Sequence, residues 1–80
     1  MRLNNIEELD DFLATVKSCK GAVWLESNDG DKINLKSALS RYIAIGALLS
    51  VEGDNLELYC AEKEDEAKFL EFFGHFPETL

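Results

Sequence analysis

Apolar residues recur along this chain in two rhythms, and the places where one rhythm gives way to the other divide it into elements. Ile6, Leu9, Phe12, Leu13 and Val16 keep helical spacing and predict one buried stripe. Asn4-Asn5 precede them as cap residues, Glu7 and Glu8 fill the first turn, Lys17 and Lys20 the last, and Gly21 supplies a stop. Ahead of this helix, Met1-Arg2-Leu3 has room only for a short edge strand. Ala22 to Ser27 then alternates, Val23 and Leu25 on one face and Trp24 and Glu26 on the other. Asn28-Asp29-Gly30-Asp31 reads as a tight turn, after which Ile33 and Leu35 continue the inward face while Lys32, Asn34 and Lys36 point out.

At Ile33-Asn34-Leu35-Lys36-Ser37 the period changes from two to 3.6 with no linker. Ser37 is placed to cap the helix that follows, whose face is Leu39, Tyr42 and Ile43. From Ala44 to Leu49 the chain is apolar almost all round, broken by Gly46. Two readings stay open: a helix to Leu49, or a short helix and a buried loop. In either, Ile43, Leu48 and Leu49 are expected in the core. Gly53-Asp54-Asn55 makes a turn, and Leu56, Leu58 and Cys60 alternate with Glu57, Tyr59 and Ala61 as a third full strand. Lys63 to Phe73 is the last helix, apolar at Ala67, Phe69, Leu70, Phe72 and Phe73 and ended by Gly74. His75 to Leu80 is a tail that Phe76 pins down. The expected fold is α+β: an antiparallel sheet of three full strands plus a short N-terminal edge strand, with three helices on one face, in a single domain over 1–80.

Composition narrows the function classes. Eighty residues bury about 60–65% of the unfolded surface, enough for one core. A net charge of −8, from 16 acidic and 8 basic residues, argues against nucleic acid and against anionic membrane as partners. Cys19 and Cys60 are too few for a disulfide framework, lack metal-ligand spacing and fall at inward positions. With no apolar leader and no long apolar run, a cytoplasmic location is expected. No cofactor or metal is expected, and no motif supplies a nucleophile–base pair, so the chain does not read as an enzyme. His75, the single histidine, reads as an exposed tail residue.

Val23-Trp24-Leu25-Glu26, the hairpin turn, Ile33-Asn34-Leu35-Lys36-Ser37 and Asp65-Glu66 followed by Phe69-Leu70 resemble the histidine-containing phosphocarrier family of the sugar phosphotransferase system, HPr. The resemblance runs from about Asn5 to Phe73 and is most specific at Ile33–Ser37. It implies an open-faced sandwich, and it implies that Ser37, with Lys36 and Arg41 beside it, matches a serine that a dedicated kinase phosphorylates for regulation in some bacteria. Ser40 stands where the family usually has a glycine. Aligning the first helical stripe places Asn5 at the family's phosphorylated histidine and Glu7 at its arginine. An amide cannot carry a phosphoryl group as imidazole does, and a carboxylate repels phosphate where a guanidinium would clamp it. Phosphocarrier chemistry is therefore expected to be absent. A regulatory or protein-binding module is expected instead, with an HPr-type kinase or regulator among its protein partners.

Trp24 and Tyr59 are expected side by side on the face opposite the helices. With Tyr42 they form the candidate partner surface, against the plainer reading of a cross-strand aromatic pair. A homodimer through that face, or through the strand edge that a shortened first strand leaves open, is the alternative. In that case Ser37 is a helix cap and nothing more.

Overall fold

The computed structural model describes residues 1–77; the part of the expected tail at 78–80 lies outside them. In chain order come α1 (Ile6–Ser18), β1 (Val23–Ser27), β2 (Lys32–Asn34), α2 (Ala38–Leu48), a 3-10 turn (Val51–Asn55), β3 (Leu56–Cys60) and α3 (Lys63–His75). The sheet is antiparallel in the order β2-β1-β3. The α+β class with three helices and three strands is as expected, although β2 is only three residues long.

The N-terminal edge strand is not formed. Met1 to Asn4 carry no strand, and the Leu3 N–H donates to the Leu48 carbonyl at 2.8 Å. Leu3, apolar and isolated in sequence, is buried at the end of α2 rather than paired in the sheet. The α-amino group of Met1 donates to the carbonyls of Gly53 at 2.6 Å and Leu56 at 2.5 Å, and burial lowers its pKa.

One core joins the sheet face carrying Val23 and Leu25 to all three helices. Phe12 lies at its centre, its ring 5.8 Å from that of Phe69 and 5.6 Å from that of Phe72. Along α1 the predicted stripe holds at Leu9, Phe12 and Val16, but Ile6 is exposed, because it begins the helix outside the sheet's cover. Gly30 takes φ of 88° in the hairpin turn, a conformation costly for other residues.

The apolar stretch after Ile43 resolves as helix through Leu48, then the 3-10 turn. That turn packs on the N-terminal segment so closely that a Cβ on Gly53 would lie 2.6 Å from the Met1 carbonyl oxygen and 3.0 Å from that of Ala47. Both obstacles are backbone, so Gly53→Ala is expected to destabilise the fold by about 1–3 kcal/mol. A chemical denaturation midpoint equal to that of the unsubstituted protein would contradict this.

α3 continues past Gly74 to His75. Phe69 and Phe72 are buried and Phe73 and Phe76 half-buried, as expected of core phenylalanines, whereas Ala67 and Leu70 face outward. Among the described residues no helix is long and apolar enough to cross a membrane.

Candidate functional site

The β2–α2 junction is built by short-range bonds. The Leu35 N–H donates to the Val23 carbonyl at 2.8 Å, which holds the end of β2 against β1. The Asn34 side-chain oxygen accepts from the Lys36 N–H at 2.9 Å and its main-chain oxygen from the Ser37 N–H at 3.2 Å, turning the chain. Ser37 then has extended backbone angles and caps α2: its hydroxyl accepts from the Ser40 N–H at 3.4 Å, and its carbonyl accepts the Arg41 N–H at 2.9 Å. The hydroxyl contact is long, so the cap is a weak one.

The two cations expected beside Ser37 are turned to other acceptors. Lys36 Nζ donates to the Cys19 carbonyl at 2.5 Å, where it meets the negative end of α1. Arg41 Nη1 lies 3.5 Å from the Leu35 carbonyl. A phosphate on Ser37 would have to draw both side chains from main-chain partners that they already hold.

Past Ser37 the helix turns the Leu39, Tyr42 and Ile43 face to solvent. Leu39, Tyr42 and Ile43 are 74%, 79% and 62% exposed, while Ala44 and Leu48 are buried. The expectation of a core position for Ile43 is thus corrected. Two apolar stripes run along α2, and the sheet covers the one led by small Ala44, which admits a close approach. Leu48 is in the core and Leu49 half-buried, as expected. The result is a three-residue apolar patch within about two turns of Ser37.

At the start of α1, Asn5 is the N-cap, its side-chain oxygen accepting from the Glu8 N–H at 3.0 Å. Glu8 reaches back to the Asn4 N–H at 2.8 Å, so the two side chains satisfy the helix end reciprocally. Glu7 is exposed beside them. This terminus carries an exposed carboxylate at Glu7, a buried and occupied one at Glu8, and an occupied amide at Asn5, where phosphate chemistry would need a nucleophile and a cation.

Trp24 and Tyr59 are direct cross-strand partners with rings 6.0 Å apart and 17° from parallel. Each ring spends its polar atom on its own strand: Trp24 Nε1 donates to Glu26 at 2.9 Å and the Tyr59 hydroxyl to Glu57 at 2.8 Å. The Glu57 bond raises the Tyr59 pKa. Lys32 Nζ lies 5.8 Å from the centre of the Trp24 ring. The arrangement is that of a cross-strand pair bracing the sheet, stabilising it by about 0.2–1 kcal/mol.

Sequence reasoning passed over Asp65 as a site residue. It is fully buried, accepting the N–H groups of Lys20 at 3.0 Å and Gly21 at 2.9 Å, with Lys68 Nζ 3.6 Å away. The Gly21 bond is the main cause that holds its pKa below the usual carboxylate range, against the opposing effect of desolvation. The signal was available: Asp65, Phe69, Phe72 and Phe76 share one helical stripe. Cys19 and Cys60 are free thiols whose pKa values burial raises, and this lowers their reactivity. His75 ends α3, exposed. Among the described residues no three His, Cys, Asp or Glu side chains gather as metal ligands.

No family model, curated protein or solved structure matches the chain.

Proposed function

We propose that the chain is an HPr-like protein-binding module of the cytoplasm, without phosphocarrier or other enzymatic activity. Its docking surface is the Leu39–Tyr42–Ile43 patch on α2, and phosphorylation of Ser37 controls it. The observation that carries this reading is the exposure of the three apolar side chains immediately behind a weakly capping serine. Large apolar side chains left in water are enriched at the centres of protein interfaces. A phosphoserine at an α2 N-cap gains from the helix dipole and adds up to about two negative charges beside the patch. Asn5 and Glu7 in the places of the family's histidine and arginine support the loss of phosphoryl transfer.

Incubation with an HPr-type kinase and ATP is expected to add one phosphate, abolished in Ser37→Ala. Tyr42→Ala is expected to leave the melting temperature within a few degrees while removing partner capture. An unmodified mass after incubation would eliminate the switch. Capture that survives Tyr42→Ala and Ile43→Ala together would eliminate the patch.

A second reading keeps the scaffold but makes Ser37 a cap alone and the chain self-associating, through the Trp24–Tyr59 face or the β3 edge. It is favoured by the hydroxyl's existing bond to the Ser40 N–H. Sedimentation as a dimer at micromolar concentration, with no phosphate acceptance, is its expected signature.

A further inference from the structure

β3 closes one side of the sheet, and among the described residues no strand fills its outer edge along Leu58 and Cys60. The Ala61 N–H donates to Ala22 at 3.0 Å, and the register pairs Leu25 with Leu58 and Val23 with Cys60. Main-chain groups alternate in an antiparallel ladder. Glu57 and Tyr59 therefore bond β1, while Leu58 and Cys60 turn their N–H and C=O groups away from it. The Leu56 carbonyl points the same way and is taken by the Met1 amine, which marks where the open stretch begins. Among the described residues no strand lies beyond it.

On the core side of this edge lie two adjoining grooves. One, of about 270 Å³, is lined by Leu58, Cys60, Phe69, Leu70 and Phe73. The other, of about 240 Å³, shares Leu58 and Phe73 and runs on to Leu56. Leu70 stands 72% exposed at the rim. Alternate side chains of an extended strand are about 6.6–6.8 Å apart and project to one face, which suits one entering each groove. Two carboxylates flank this edge: Glu66 lines the first groove, and Glu57 alternates to the opposite sheet face beside Tyr59. Met1 also lines the second groove, its amine held by the Gly53 and Leu56 carbonyls, and the chain as a whole has a net charge of −8. β3 itself carries no lysine or proline, the residues that commonly protect an edge.

We infer that the β3 edge is a strand-addition site for an extended, cationic segment of a protein partner, with apolar side chains in the two grooves, Lys or Arg on the other face against Glu57, and Glu66 adding negative charge at the groove. The inference rests on the binding-module reading and gives it a second surface, separate from α2. Main-chain bonds at Leu58 and Cys60 would supply affinity, and the grooves and carboxylates the selection. A second copy of the chain fits less well, because it would bring the same carboxylates and a further net charge of −8 to the same edge.

The test uses three blocked eight-residue probe peptides on the isotope-labelled protein. One alternates valine with lysine, one replaces lysine by glutamate, and one is the lysine peptide N-methylated at alternate residues. The lysine peptide is expected to slow amide exchange at Leu58 and Cys60 at least tenfold. The glutamate and N-methyl peptides are expected to bind at least tenfold more weakly. Leu70→Ser, at an exposed position, should weaken binding several-fold, and Glu57→Lys with Glu66→Lys should reverse the charge preference. Unprotected amides, equal binding of the glutamate peptide, or protection that appears without peptide alongside dimer sedimentation would each overturn the inference. Tyr42→Ala separates the two surfaces. Peptide protection should persist in it, whereas partner capture lost in Tyr42→Ala with no peptide protection anywhere would sink the edge and leave the α2 patch standing.

Discussion

Replacing Asp65 by alanine is expected to lower the melting temperature by on the order of 10 °C. The side chain, 0% exposed, is the acceptor for the Lys20 and Gly21 N–H groups that turn the chain from α1 into β1. Alanine leaves both donors without a partner in a site already desolvated, while Lys68 Nζ, 3.6 Å away, loses its ion pair and keeps its bond to the Ser18 carbonyl. The Gly21 N–H first, and the Lys20 N–H with it, hold the carboxyl pKa below the usual carboxylate range in the folded protein. The group thus binds its proton more readily when unfolded. Its stabilising effect is complete above the unfolded value and is lost as pH falls through the folded one. Asp65→Asn should therefore trail the unsubstituted protein at pH 7, and the gap should narrow below about pH 4. A constant gap from pH 7 to pH 2.5, or an Asp65→Ala melt within 2 °C of the unsubstituted protein, would show that the buried carboxylate does not lock α3 to this turn.

Phe12→Ala is expected to cost about 3–5 kcal/mol, a large part of the roughly 5–15 kcal/mol that holds a domain folded. The Phe12 ring is wholly buried between Phe69 and Phe72. Its removal opens a cavity that neither α1 nor α3 can close without losing other contacts, because Leu9 and Val16 fasten α1 to the same core. Phe12→Leu keeps most of the volume and is expected to cost about 1–1.5 kcal/mol. The urea midpoint should fall by more than about 1 M for alanine and by well under that for leucine. Equal midpoints for the two variants would mean that the centre of the core lies elsewhere.

Much of the architecture was legible because several signals agree at each element. α1 has a cap, acids in its first turn, an apolar stripe and basic residues at its end, and its stripe is buried at Leu9, Phe12 and Val16. The hairpin has alternation on both sides of a glycine that takes positive φ. Ser37 caps where the period changes. The misread face of α2 is a case in which spacing is degenerate. Leu39, Tyr42 and Ile43 satisfy a helical stripe as well as Ala44 and Leu48 do, and periodicity cannot say which one meets the sheet. Tertiary packing chose the stripe led by Ala44. Leu3 was misjudged for a different reason: its partner, the Leu48 carbonyl, is remote in sequence and leaves no local pattern. Asp65 shows a third failure. An acid in a first helical turn is expected to serve the dipole in water, and its position on the phenylalanine stripe carried the contrary information.

The sheet order has a consequence for how the chain reaches its fold. β1 lies in the middle, and its two partners come at very different cost in chain entropy. Pairing with β2 closes only the four-residue turn Asn28–Asp31, so it forms locally. Pairing with β3 must first close a loop that holds all of α2 and the 3-10 turn. The barrier to folding is accordingly placed at the docking of β3, with the hairpin largely formed before it. Substitutions in the hairpin should slow folding, whereas those in α3 should mainly hasten unfolding.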